Sequence, residues 1–153
     1  MTELQLRRTV PFPADRIWHA LTDPTALAAW FWPERFATTV EVDLRPGGRF
    51  QIAGPGVGIT VAGEYVAVEP PHRLVFTWQW AGEEEETLVT VELTPSGTGT
   101  DLVLVHERFA DEATRDQHAT GWTDCLDRLP DWLAAQPPSG DADAVLGATG
   151  PRN

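Results

Sequence analysis

Lysine is absent from this chain of 153 residues, and its eleven basic side chains are all arginines. Schiff-base catalysis by a lysine is therefore excluded. The eleven arginines are outnumbered by 23 acidic residues, which gives a net charge of -12. Because nucleic acids and anionic membrane surfaces are bound through basic patches, this charge balance argues against both as partners.

Cysteine and serine are also scarce. Cys125 is the one cysteine, which excludes an internal disulfide and a zinc site built from several cysteines, and a reducing cytoplasm is the expected location. The two serines, Ser96 and Ser139, fall in a predicted turn and in the C-terminal segment, so serine nucleophile chemistry has little support. The four histidines follow no metal-binding spacing. We therefore predict neither a metal nor a cofactor.

Long apolar runs are missing as well. No segment approaches the roughly 20 apolar residues that cross a bilayer, and the first ten residues carry no apolar stretch that would indicate a signal peptide. The chain length favours one domain, which we place at residues 1–135. Residues 136–153 lack aromatic residues and periodicity and are predicted to form a disordered tail. A monomer and a homodimer both remain open.

Alternation of apolar and polar residues, interrupted by glycine and proline turns, predicts a mainly antiparallel sheet. The predicted strands are 3–10, 37–44, 49–53, 59–68, 74–80, 87–94 and 101–108, with two short helices between the first two. Strand 59–68 does not fix its own inward face, because Tyr65 alternates with Val61 whereas Val66 and Val68 favour the opposite face. A β-bulge is one solution.

A long helix is predicted over residues 111–135, where apolar residues recur at intervals of three and four. Pro130 lies inside this helix and is expected to kink or break it. A sheet with one apolar face needs a cover, and this helix is the element long enough to supply it. The prediction is an α+β fold with a curved antiparallel sheet wrapped around a long C-terminal helix.

Two groups of aromatic residues raise a question of function. In LVFTWQW, the residues Phe76, Trp78 and Trp80 share one face of a strand, where they either fill a core or line a ligand cavity. Trp30, Phe31 and Trp32 are consecutive and cannot all point inward from a short helix. They form a packing plug, a lid or an apolar contact with a protein partner.

His106 is the strongest polar candidate. It shares a strand face with Leu102 and Leu104, a position that is more often structural than catalytic. We predict that it orients a ligand and performs no chemistry. The other three histidines, His19, His72 and His118, are predicted to lie on the surface.

The order of several short motifs resembles a known superfamily. The motifs are FPA (12–14) leading into IWHALTDP, LAAWF, DLRPGGRF (43–50), GEY before EPPHRLVFTW, LVLVHERF and Gly121-Trp122. Together they resemble the SRPBCC or START-like superfamily and are most similar to the C-terminal domain of the activator of the heat-shock-protein-90 ATPase. The resemblance covers residues 3–135 and implies the helix-grip fold with a cavity for an apolar ligand.

These observations predict a protein that binds a small apolar or aromatic molecule between the sheet and the C-terminal helix. No catalytic residue is predicted. The predicted cavity residues are Trp30, Phe50, Phe76, Trp78, Trp80, Leu104, His106, Trp122 and Leu126. One alternative is an interaction module of the chaperone-activator type, acting in a stress response through residues 30–32. The other is a cyclase or hydrolase acting on a polyketide-like substrate.

Overall fold

The structure, a computed structural model, describes residues 2–137. Seven strands and three helices follow one another in this part of the chain: β1 (Thr2–Val10), α1 (Ala14–Thr22), α2 (Pro24–Trp30), β2 (Thr39–Val42), β3 (Arg49–Gly54), β4 (Ile59–Glu69), β5 (Arg73–Trp80), β6 (Thr87–Ser96), β7 (Gly99–Phe109) and α3 (Glu112–Ala134). Most of the predicted C-terminal tail, from residue 138 onward, lies outside the described residues.

The seven strands form one curved antiparallel sheet in the order β1-β7-β6-β5-β4-β3-β2. Consecutive strands from β2 to β7 are joined by short turns, which explains why each pairs with its neighbour in sequence. Helices α1 and α2 connect the two edge strands, and α3 packs against β1 and β7. The predicted fold class is therefore confirmed.

The turn between β2 and β3 requires glycine for two different reasons. Gly47 has a φ of +86°, which disfavours any side chain. At Gly48, a Cβ atom would collide with the backbone carbonyl oxygen of Asp43. Strand β2 begins at Thr39 and not at residue 37 as predicted, because a 3₁₀ turn at Glu34–Phe36 ends at Ala37 in the left-handed conformation, with a φ of 55°.

Two bulges set which residues face the core. The register of β4 against β5 shifts between Tyr65 and Ala67, which leaves Val66 exposed while Tyr65 stays buried. In β7, the register against β1 shifts where Arg108 adopts a φ of 77°. As a result His106 and Phe109, three residues apart, are both completely buried.

Helices α2 and α3 begin at aspartate side chains that accept hydrogen bonds from backbone N–H groups. Asp23 accepts from Ala26 at the start of α2, and Asp111 accepts from Thr114 at the start of α3. The backbone N–H of Thr114 is the main cause of the lowered pKa of Asp111. Helix α3 continues through Pro130, so the break that the sequence suggested does not occur.

The core lies between the inner face of the sheet and the helices. Of the six apolar side chains whose periodicity predicted α3, Trp132 is half-buried and the other five are buried: Trp122, Cys125, Leu126, Leu129 and Leu133. Within residues 2–137, no helix has the length and apolar character needed to cross a membrane.

Candidate functional site: an aromatic groove and the cavity behind it

Two spaces lie between the sheet and α3. The inner cavity has a volume of about 40 Å³, and the outer groove has a volume of about 680 Å³. Both spaces are lined by Phe31, Trp78 and Trp122, which we call the aromatic partition. The partition therefore separates a nearly filled core from a groove of the size that small-molecule sites usually have, about 300–1,000 Å³.

The inner cavity is almost entirely apolar. It has room for one or a few water-sized groups, since a single water needs roughly 10–15 Å³ measured in this way. Its walls come from every layer of the core: Leu21, Leu27, Phe31, Phe50, Ile52, Tyr65, Leu74, Phe76, Trp78, Val91, Leu102, Leu104, Trp122 and Leu126. Burial raises the pKa of the Tyr65 hydroxyl, so this wall is uncharged near neutral pH.

The three partition rings pack on one another. Ring centroids are 5.1 Å apart between Trp78 and Trp122, 5.7 Å between Phe31 and Trp122, and 6.4 Å between Phe31 and Trp78. All three side chains are at least nine-tenths buried. Such close aromatic packing accounts for the small size of the cavity behind it.

The mouth of the groove is also aromatic, and its rings are half-buried. Trp32 stacks on Trp80 with a centroid distance of 6.2 Å and an interplanar angle of 11°. Phe36 packs against Trp32 at 5.4 Å. These rings offer flat apolar faces at the surface, which suits stacking with a planar ligand.

His106 is held by hydrogen bonds on both ring nitrogens. The indole Nε1–H of Trp122 donates to Nδ1 of His106 at 2.9 Å. This leaves Nε2 of His106 as the protonated nitrogen, which donates to the hydroxyl of Thr87 at 2.6 Å. Thr87 in turn donates to the carbonyl oxygen of Trp78 at 3.1 Å. Burial, assisted by nearby His118, lowers the pKa of His106 from 6.5 to about 3, so it is neutral at physiological pH.

His118 forms a similar pair at the groove. The indole Nε1–H of Trp80 donates to Nε2 of His118 at 2.9 Å, and Nδ1 of His118 donates to the carbonyl oxygen of Thr114 at 2.8 Å. The ring of Phe109 packs against both histidines, 4.4 Å from His106 and 4.9 Å from His118, and the two histidine rings are 5.2 Å apart. This histidine was predicted to be a surface residue, but it is half-buried and lines the groove.

The charged residues that line the groove include three acids, Glu83, Glu85 and Asp124. Glu85 also accepts a hydrogen bond from the backbone N–H of Ala110 at 2.7 Å. Arg128 is directed to backbone carbonyls instead, because it donates to Phe31 at 2.6 Å and to Trp30 at 3.2 Å.

Cys125 lines the groove from α3. Its thiol donates to the carbonyl oxygen of Phe31 at 3.0 Å, and burial raises its pKa to about 12. A thiol held in this state is a poor nucleophile. Within residues 2–137, no cluster of three or more histidine, cysteine or acidic side chains is arranged to hold a metal ion.

The predicted site residues divide among three locations. Six of them line the inner cavity: Phe50, Phe76, Trp78, Leu104, Trp122 and Leu126. Trp80 lines the groove. Trp30 and His106 belong to the surrounding core, where the indole N–H of Trp30 donates to the carbonyl oxygen of Ala20 at 2.9 Å.

Residues 30–32 do not form one surface. Trp30 and Phe31 are buried, and Trp32 alone of the three is partly exposed. Sequence analysis missed His118 as a groove residue. Its position four residues before Trp122 on α3 was the available indication, since residues four apart share a helix face.

Comparisons with known proteins agree with the observed fold. The family described as "Activator of Hsp90 ATPase homolog 1-like protein" matches residues 11–134. Protein CV1439 from Chromobacterium violaceum is 26% identical with a TM-score of 0.73, over 88% of this chain and 98% of that one. CalU16 from Micromonospora echinospora is 28% identical with a TM-score of 0.70, over 87% of this chain and 76% of that one.

A chaperone-related protein has the same fold. PFC0360w, an HSP90 activator from Plasmodium falciparum, is 22% identical with a TM-score of 0.73, over 88% of this chain and 97% of that one. At this level of identity the similarity extends to the fold alone. A search of curated protein sequences found no match.

Proposed function

Since this chain belongs to the Activator of Hsp90 ATPase homolog 1-like family, within the SRPBCC superfamily, we propose that it is a small-molecule-binding protein. Its ligand is an apolar or aromatic compound held between the sheet and α3. The observation that supports this proposal is the groove of about 680 Å³, with Trp32 and Trp80 at its mouth and the partition at its inner end.

The volumes favour the groove over the inner cavity as the position of the ligand. The inner cavity of about 40 Å³ is too small for an aromatic ring, because even a 150 Å³ cavity in another protein holds only a molecule such as benzene. The body of the ligand therefore occupies the groove, and its inner end contacts Trp78 and Trp122. Stacking on Trp32 and Trp80 and burial of apolar surface supply the affinity.

Each of the two alternative functions, an enzyme and a protein-interaction module, needs a particular arrangement of side chains. An enzyme would use His106 with a second polar group facing a ligand, but both ring nitrogens of His106 are bonded to other protein groups. An interaction module would use an exposed patch at residues 30–32, but Trp30 and Phe31 are buried. Neither arrangement favours these alternatives over ligand binding.

The test uses Nile red, a neutral apolar dye whose emission reports an apolar environment. We expect saturable binding with a one-to-one stoichiometry. Trp32→Ala should weaken the affinity by about 10-fold, because a stacking face worth roughly 1.4 kcal/mol is removed. Trp18→Ala is the matched control, since Trp18 is another half-buried tryptophan that does not line the groove.

Trp18→Ala should leave the affinity within about 2-fold of the wild-type value, an effect below 0.5 kcal/mol. Thermal denaturation of each variant establishes that the protein is folded at the temperature of the titration. Absence of saturable dye binding in the wild type, or equal losses in both variants, would contradict the proposal.

A further inference from the structure

The indole N–H of Trp78 differs from those of the other tryptophans around the site. The N–H groups of Trp30, Trp80 and Trp122 each donate to a protein acceptor at 2.9 Å. The Nε1 atom of Trp78 is buried and has no hydrogen-bond partner among residues 2–137. Buried indole N–H groups normally find a partner, so one without a partner requires a physical explanation.

The position of Trp78 supplies an explanation. Its ring belongs to the aromatic partition and lines both the groove and the inner cavity. A molecule that fills the groove as far as the partition therefore lies against this ring. The other polar group on the partition, the N–H of Trp122, is already bonded to His106 and is not available to a ligand.

We propose that the ligand presents a neutral hydrogen-bond acceptor, such as the carbonyl oxygen of an aromatic ketone, to the indole N–H of Trp78. This inference rests on the proposed function and specifies its ligand class. An unbonded donor is costly when it is buried, so an acceptor from the ligand removes a penalty that the free protein carries. A site with an unpaired donor distinguishes ligands that carry the acceptor from ligands of the same shape that lack it.

The charges at the groove favour a neutral acceptor over an anionic one. Glu83, Glu85 and Asp124 line the groove, and the whole chain has a net charge of -12. Two arginines also line the groove, but Arg128 donates to the carbonyl oxygens of Trp30 and Phe31, and Arg35 lies over the ring of Phe36 at the groove mouth. The acids outnumber the arginines, so a carboxylate would meet a net repulsion that a neutral ketone oxygen would not.

The test compares two neutral probes of the same shape. In 2-acetylnaphthalene a carbonyl oxygen occupies the position that a methylene group occupies in 2-isopropenylnaphthalene. The affinity of each is measured by displacement of Nile red, and the ratio of the two affinities is compared between proteins. Comparing this ratio between proteins cancels the difference in hydrophobicity between the two probes, because that difference is the same for every variant.

Trp78→Phe should reduce the affinity for the ketone relative to the alkene by roughly 3- to 10-fold, the worth of one neutral hydrogen bond. Trp18→Phe is the matched control. It makes the same substitution in a half-buried tryptophan that does not line the groove, and it should leave the ratio within about 2-fold of the wild-type value, below the worth of one hydrogen bond.

A second measurement does not depend on any variant being folded. In wild-type protein with ¹⁵N-labelled tryptophan, the ketone should move one indole N–H proton resonance downfield, and the alkene should not. If Trp78→Phe is folded, its spectrum assigns that resonance. An unchanged ratio in folded Trp78→Phe, or the absence of a ketone-specific downfield shift in the wild type, would overturn the inference while leaving the binding function intact. Failure of both probes and Nile red to bind would instead reject the proposed function.

Discussion

Two tryptophan–histidine hydrogen bonds of the same length lie next to each other, since the rings of His106 and His118 are 5.2 Å apart. The bond from Trp122 to His106 is in the core, and the bond from Trp80 to His118 is at the groove, and both are 2.9 Å long. His106 is completely buried, whereas His118 is half-buried. The same pair of residue types therefore occupies two environments, since the inner pair lies in the core and the outer pair lines the groove.

Burial explains the difference. In the inner pair, each polar atom has one partner and no access to water, so the direction of every hydrogen bond is determined from Trp122 through His106 to Thr87. At the groove, water can replace a lost protein partner. A change to the inner pair should therefore affect stability, and a change to the outer pair should mainly affect binding.

The largest expected effect comes from removing the ring of Phe109, which packs against both histidines. Phe109→Ala deletes a completely buried side chain and should lower the free energy of unfolding by about 3–5 kcal/mol. Urea denaturation followed by tryptophan fluorescence measures this change. A loss below about 1 kcal/mol would mean that the core around His106 repacks easily. Burial would then not explain a difference between the inner and the outer pair.

A second prediction uses the pKa of His106, which burial lowers to about 3 from an ordinary value of 6.5. Between these values the unfolded chain binds a proton that the folded protein does not. Stability from this group is therefore complete above pH 6.5 and falls as the pH decreases toward 3. Between pH 7 and pH 5 the loss from His106 alone should be about 2 kcal/mol.

The measurement is the free energy of unfolding at pH 7 and pH 5 for the wild type and for His106→Gln, which cannot titrate in this range. The variant should lose about 2 kcal/mol less than the wild type over this interval. All other titratable groups are the same in both proteins, so their contributions largely cancel in the difference. Equal losses in the two proteins would show that His106 is accessible to protons in the folded state.

Local sequence patterns were sufficient to predict most of the fold. All seven strands and α3 were predicted within a few residues of their observed bounds, because alternation and turn residues act over short distances. The bulge at Arg108 was not predicted, since it depends on a positive φ at a residue other than glycine. That bulge places Phe109 beside His106, a contact that a regular strand would not make.

The site was harder to predict than the fold. Alternation identified Trp78 and Trp80 as sharing a face, but it could not show that one belongs to the partition and the other to the groove mouth. That distinction depends on where α3 crosses the sheet and on how the rings of Phe31 and Trp122 pack. Cavity volume is a property of such packing and is not encoded in any short segment.

The same substitution in the two pairs tests the comparison directly. Trp122→Phe leaves the buried Nδ1 of His106 without a donor, whereas Trp80→Phe leaves a nitrogen of His118 beside the open groove. Trp122→Phe should be more destabilising by about 1–2 kcal/mol, the cost of an unsatisfied buried acceptor. Parallel urea titrations provide the measurement. Equal destabilisation would show that burial does not separate the two pairs.

The smallest predicted effect concerns the charge at the mouth of the groove. Glu83 is exposed and lines the groove, so Glu83→Gln removes one negative charge close to a bound ligand. Affinity for an anionic dye, 1-anilinonaphthalene-8-sulfonate, should rise by about 2-fold at low salt, as expected for an exposed charge pair worth a few tenths of a kcal/mol. Affinity for neutral Nile red should not change.

Glu41→Gln is the control, because Glu41 is an exposed acid on β2 outside the groove and its replacement makes the same change in net charge. The gain should disappear in high salt, since screening removes interactions between exposed charges. An equal gain in Glu41→Gln would attribute the effect to the net charge of the chain and would remove the groove from the electrostatic argument.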